Sequence, residues 1–243
     1  MHSKIRSGLL AVILVSILSS ATLLQENGAP VVQIIAPQGN MQFTWGQYVP
    51  FRIRVIDNED GNSEYEEILS QEVIMTVHYF SDSLEVQENL NEGQSSHFDI
   101  LSWMGASNCF TCHNAKAKLI GPSFLQIAER YAHQGDAVEY LSQKVTQGTT
   151  GTWGSQIMPA QPHLSSEGLK KAIQWILKNG SRQDFNYFTG LEGAFKTPAK
   201  IEGFEDRAIC VFTAQYTDHG LENVPGSAKK GIDSIVLSRR QDH

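Results

Sequence analysis

Five consecutive residues constrain this chain more than any others: Cys109-Phe110-Thr111-Cys112-His113, the pattern C-x-x-C-H. Side chains three apart share one side of a helical turn, so both thiols can reach a single rigid partner while the next residue delivers an imidazole beside them. This is the pattern of c-type haem attachment, with two thioethers to the vinyl edges and the histidine under the iron. A thioredoxin-like redox pair would need a βαβ context, and a zinc site would need a second cysteine pair. The periodicity around the motif offers no βαβ context, and Cys210 is the one further cysteine. The motif therefore predicts one covalently bound haem c, with His113 on its iron.

The residues around the motif read as short helices. Asp136 and Glu139 have capping-box spacing ahead of Val138, Leu141 and Val145, and Gly148 stands where that helix should stop. Ser165 is an expected N-cap, followed by the stripe Leu169, Ile173, Ile176 and Leu177, which ends at Gly180. Phe124, Ile127 and Tyr131 form a shorter helical face. An iron with one histidine needs a sixth ligand or an open site. Met158, in Gln156-Ile157-Met158-Pro159, is the candidate, although a methionine outside a helix is by itself an ordinary packing residue. His133 and His163 are expected to be exposed, and Met104 to pack in the helix that leads into the motif.

Residues 97–180 resemble a class I cytochrome c of the short bacterial kind. The resemblance rests on Cys109 to His113, Gly121-Pro122-Ser123-Phe124, Ile127 to Tyr131, Gly151-Thr152-Trp153-Gly154, Met158-Pro159 and a closing helix with Trp175-Ile176-Leu177. It implies an all-α module with His113 and Met158 as axial ligands, and a Pro122 carbonyl accepting from the other ring nitrogen of His113. It further implies that Arg130 and Trp153 reach the haem propionates.

The flanks carry the period-two alternation of strands. Phe51, Ile53 and Val55 alternate with Arg52 and Arg54, and Val73, Met75, Val77 and Tyr79 repeat the pattern. Val31 to Ile35 and Phe43 to Trp45 are shorter candidates, while Ala208 to Tyr216 and Ile232 to Leu237 supply strands near the C-terminus. Two or three exposed strands are only marginally stable alone, so the two ends are expected to pair into one antiparallel β-sandwich around the helical module. The flanks resemble an Ig-like or PKD-like domain appended to exported quinoprotein sugar dehydrogenases, through Trp45-Gly46-Gln47, Val55 to Gly61, Val73 to Tyr79, Thr213 to Gly220 and Ile235 to Leu237. The expected fold is thus α+β and multidomain. Its parts are a signal peptide over 1–21, sandwich halves over 30–92 and 193–239, and a cytochrome c domain over 97–180. The signal expectation rests on basic His2, Lys4 and Arg6, the apolar run Leu9 to Leu18, and small residues Ser19 to Ala21. It predicts a periplasmic or otherwise exported protein. Membrane attachment follows only if the leader stays uncleaved, as an anchor over Leu9 to Leu24.

Charge excludes one class of partner. The net charge is -7, with no basic footprint for nucleic acid. Residues 57 to 96 hold eleven acids and no Lys or Arg, a block suited to steering a basic partner. Asp57, Glu59, Asp60 and Glu64 cluster around Gly61 without EF-hand spacing, which reads as a solvated loop or docking surface ahead of a calcium site. Cys210 reads as a buried free thiol. The function expected is one-electron transfer, not catalysis, between a dehydrogenase and an oxidase or another cytochrome. A quinoprotein sugar dehydrogenase is the donor that the flanking resemblance implies. The alternative is a carbohydrate- or protein-binding module with a structural or sensory haem, for which Trp45, Tyr48, Tyr187 and Phe188 are the aromatic candidates.

Overall fold

Ten residues, Tyr48–Asp57, alternate strictly between inward Val49, Phe51, Ile53 and Val55 and outward side chains such as Arg52, and they form the long strand β3. In this computed structural model, which describes residues 26–88, 90, 94–204 and 208–240, β3 is the centre of a first sheet. It pairs antiparallel with β1 (Val31–Ala36), with the short β4 (Gly61–Asn62) and with β9 (Glu192–Lys196). The expected signal segment lies outside the described residues.

A second sheet has the order β2 (Gln42–Phe43), β11 (Lys230–Arg239), β10 (Ile209–Thr217), β5 (Ile74–Phe80), β8 (Phe185–Thr189). The two sheets close over a common core in which Val55, Val77, Phe212, Tyr216 and Leu237 are completely buried. Each such side chain contributes roughly 1.5–3 kcal/mol relative to exposure. The sheets are antiparallel as expected except for β2, which pairs parallel to β11 through two residues. Strand β5 is buried at every position but one, and β10 at every position but its two ends. The sequence alternation of β5 and β10 is muted because both of their faces are covered: one by the first sheet, the other by helices.

Those helices come from the stretch between β5 and β8. Helix α1 (Ser83–Glu88) stays with the sheet, where Val86 packs on Phe80 and Val211. Then follow α2 (Gln94–Ala106), the single turn α3 (Cys109–Cys112), α4 (Phe124–Tyr131), α5 (Ala137–Gln147), the hairpin β6 (Thr149–Gly151) with β7 (Gly154–Met158), and α6 (Ser166–Asn179). Helix α6 buries Leu169, Ala172, Ile173 and Ile176 and packs against α2, α4 and α5. A second core joins Phe98, Leu101 and Met104 of α2, Phe124 and Ile176 to Ile74, Phe185 and Tyr187 of the second sheet. Gln215 of β10 donates to Ser102 Oγ of α2 at 3.1 Å across the same boundary.

Several expectations need correction. The sheet resumes at Phe185, ahead of the expected boundary at 193, because β8 pairs with β5 over five residues. Asp136 does not cap α5 with its side chain; its carboxylate instead accepts from Gln134 Nε2 at 2.8 Å. The capping box stands at α4, where Ser123 Oγ accepts from the Gln126 N–H and Gln126 Oε1 accepts from the Ser123 N–H. Its signal was Ser123-x-x-Gln126.

Candidate functional site

Asn108 adopts the left-handed conformation at φ 58° and turns the chain out of α2 into α3, whose one turn presents Cys109 and Cys112 together. The His113 N–H donates to the Cys109 carbonyl at 3.1 Å, fixing the imidazole at the end of the turn. Its Nδ1 lies 2.7 Å from the Pro122 carbonyl oxygen, which can only accept, so Nδ1 carries the proton and Nε2 keeps its lone pair. Burial lowers the His113 pKa, against the raising effect of the Pro122 bond, so the ring is held neutral as a metal ligand must be. Phe124 stacks on it at 5.4 Å between ring centres.

Gly121 is required by contact. A Cβ at this position would stand 2.6 Å from His113 Cε1 and 3.0 Å from Nδ1. The Gly121 N–H meanwhile donates to the Cys112 carbonyl at 2.8 Å. The role of this glycine was not read from the sequence, since it depends on where the ring lies.

Met158 ends β7, opposite Thr149 in the hairpin register. Gly148, at φ 75°, makes room for it: a Cβ there would come within 2.9 Å of the Met158 carbonyl oxygen. The hairpin is held from outside by Arg130, which donates to the Thr152 carbonyl at 3.0 Å and lies 4.6 Å from the Trp153 ring centre. Arg130 is exposed and is not among the residues lining the cleft, whereas Trp153 is.

Cys109, Cys112, His113, Pro122, Trp153 and Met158 thus line one cleft with about 1250 Å³ of empty space, mouth included. Phe124, Ile127, Leu141, Val145, Ile157 and Leu164 complete a mostly apolar wall. Burial pushes the Cys109 thiol up to about 11, in keeping with those surroundings. Of the other ligand candidates, His133 and His163 are exposed and Met104 is fully buried in α2. In the acidic loop, Asp57 Oδ1 accepts from the Glu59 and Asp60 N–H groups, and Asp60 Oδ2 accepts from Tyr216 and from the His219 N–H. Among the described residues no three His, Cys, Asp or Glu side chains are grouped to hold a metal ion. Cys210 is a buried free thiol in the sheet core.

The donor set, two thiols on one turn, an imidazole with its second nitrogen free and a thioether on the same apolar cleft, fits a single covalently held haem. Comparison with known proteins gives the same class. The family model for cytochrome c matches residues 103–180. The chain is 45% identical over 69 residues to cytochrome c-552 of Hydrogenobacter thermophilus, covering 28% of this chain and 69% of that protein. It is 36% identical over 72 residues to cytochrome c-551 of Pseudomonas denitrificans, covering 30% and 87% respectively. Among solved structures, Nitrosomonas europaea cytochrome c552 is similar at 35% identity, covering 33% of this chain and 95% of that one, with a TM-score of 0.31. The chain belongs to the cytochrome c family. It therefore binds one covalently attached haem c with iron and serves as an electron carrier, not an enzyme.

Proposed function

We propose that this chain is an exported carrier that takes single electrons from a dehydrogenase and passes them to an oxidase or another cytochrome. The observation that carries the reading is the His113–Pro122 bond at 2.7 Å, which leaves Nε2 unprotonated in the cleft that Met158 also lines. When bound, haem c supplies an iron that gains and loses one electron. Cys109 and Cys112 would tether it through thioethers, and His113 Nε2 and Met158 Sδ would hold its iron. The Pro122 carbonyl and the Phe124 ring orient the imidazole. Phe124, Ile127, Leu141 and Val145 exclude water, and a thioether ligand in such surroundings favours the reduced iron and raises the potential. Trp153 and Arg130 would reach the propionates. Arg130 also holds the hairpin, through the Thr152 carbonyl and the Trp153 ring.

In the same reading the cytochrome c domain, 97–180, is inserted in an Ig-like sandwich whose halves are 30–92 and a C-terminal part that opens at β8. Support comes from β5 and β8, hydrogen-bonded neighbours although residues 81–184 lie between them in the chain. The PKD-like sequence features make a quinoprotein sugar dehydrogenase the favoured donor, and the leader features make export the expected fate. No helix among the described residues is long and apolar enough to cross a membrane.

Oxidised and reduced absorption spectra of the purified protein test the ligand set, with a fragment mass across Cys109 and Cys112 to test the tether. Met158→Ala should abolish the weak sulfur-to-iron band and lower the potential, whereas Met104→Leu should do neither. A colourless protein, or a Met158→Ala variant with the parental band, overturns the assignment.

A further inference from the structure

A second cavity lies where the sheets and the helices meet, and it shares no lining residue with the cleft of His113. Its empty space on the same measure is about 1870 Å³. One wall belongs to the sheets, through Tyr48, Phe188 and Phe195, and the other to the chain after His113, through Asn114 and Leu125. Three of the four aromatics picked out in the sequence for carbohydrate recognition, Tyr48, Tyr187 and Phe188, line it. The fourth, Trp45, packs 5.3 Å from the ring of Tyr79, which lines it too.

The chemistry of this wall differs from that of the haem cleft. Amide side chains of Asn114, Gln183 and Asn186 stand among aromatic rings, and the Tyr48 ring is 67% exposed. The amide oxygens of Asn114 and Asn186 already accept from backbone N–H groups, which leaves their NH2 groups to donate, while Gln183 and the Tyr48 phenol can both donate and accept. The hydroxyls of Tyr79 and Tyr187 are buried at this wall with no hydrogen-bond partner in the protein, and a buried polar group left so is costly. Formal charge provides no strong field for an ion. Lys116, Glu129 and Lys196 leave only a single net positive charge on the lining, and both cations are engaged, Lys116 with the carbonyls of Gly180 and Arg182 and Lys196 over the Tyr48 ring at 5.7 Å. Flat rings, groups that both donate and accept, and no strong field are the features that match a hydroxyl-bearing ring with apolar C–H faces.

We propose that this cavity binds a neutral saccharide of one or two rings. The site does not depend on the electron-transfer reading, because the two cavities share no lining residue, although Tyr187 of this one stacks on Phe124 of the other at 6.1 Å between ring centres. The test is calorimetric titration and saturation-transfer NMR on the haem-loaded protein, with D-glucose and maltose as probes and glucuronate as the charged control. Saturable binding is expected for at least one neutral sugar, and weaker binding for glucuronate. Tyr48→Ala and Gln183→Ala, both at exposed side chains, should each weaken it about threefold to tenfold while the haem spectrum stays unchanged. Tyr187→Phe should weaken it similarly without lowering the Tm of the sugar-free protein. No saturable signal with either neutral sugar, equal or tighter binding of glucuronate, or affinity unaltered in all three variants overturns the proposal. So does a crystal soaked in maltose whose cavity holds ordered water alone.

Discussion

In the sheet core, Val55, Val77, Phe212, Tyr216 and Leu237 meet one another with no exposed surface. In the helical region, by contrast, apolar side chains border an open cleft, and Ile120 and Ile157 are 51% and 71% exposed there. The sheets complete their own core, with Phe195 and Phe212 stacked at 5.4 Å. The helices instead line a cleft whose apolar wall includes Phe124, Ile127, Leu141 and Val145. Stability in the first region is therefore a matter of side-chain packing. In the second it is linked to haem occupancy, because a group that binds only the folded state stabilises it.

The largest effect should come from removing the tether. In a Cys109→Ala/Cys112→Ala variant purified without haem, α4, α5 and α6 should lose hydrogen-exchange protection almost to the unfolded level, while β5, β10 and β11 stay protected. Equal protection in both regions would break the comparison. Next, Phe212→Ala should cost about 3–5 kcal/mol in denaturant unfolding of the sheets, through loss of a fully buried ring, with the haem spectrum retained. Gly121→Ala should cost about 1–3 kcal/mol and disturb the potential, because the added methyl can be accommodated only by moving His113 off Pro122. A stable variant with parental potential would show that the imidazole is less tightly framed than the contact distances imply.

The smallest effect concerns a clasp on the sheets. Burial works against a charged His219, but its bonds and proximity to Asp60 and Glu72 prevail and raise its pKa from 6.5. Burial also opposes ionisation of Asp60, yet its bonds to Tyr216 and His219 lower its pKa from 3.8. A raised histidine contributes stability below 6.5 that is lost as pH climbs through its folded value; a lowered aspartate contributes above 3.8 and is lost as pH falls. The Tm deficit of His219→Gln should thus be greatest near about pH 5 and shrink above neutrality. A deficit flat across that range would remove the clasp from the account.

The sequence by itself determined what is local: the C-x-x-C-H turn, the stripe of α6 with Ser165 at its head, and the alternation of β3. Each is specified by residues within one turn or one strand of each other, where periodicity and capping act. That Met158 lines the same cleft as His113 agrees with an expectation that came through resemblance to a family and not through spacing. What only the tertiary structure decided is non-local. Strand β8 was missed because Phe185–Thr189 shows no clear alternation until β5 lies beside it and α2 and α6 cover its face. The bond that Arg130 donates to the Thr152 carbonyl, 22 residues on, was not legible, because nothing among its sequence neighbours reveals it. The distance from Gly121 to the His113 ring, and the cavity between Tyr48 and Asn114, likewise exist only once segments far apart in the chain are packed together, since close packing, not local preference, fixes such separations.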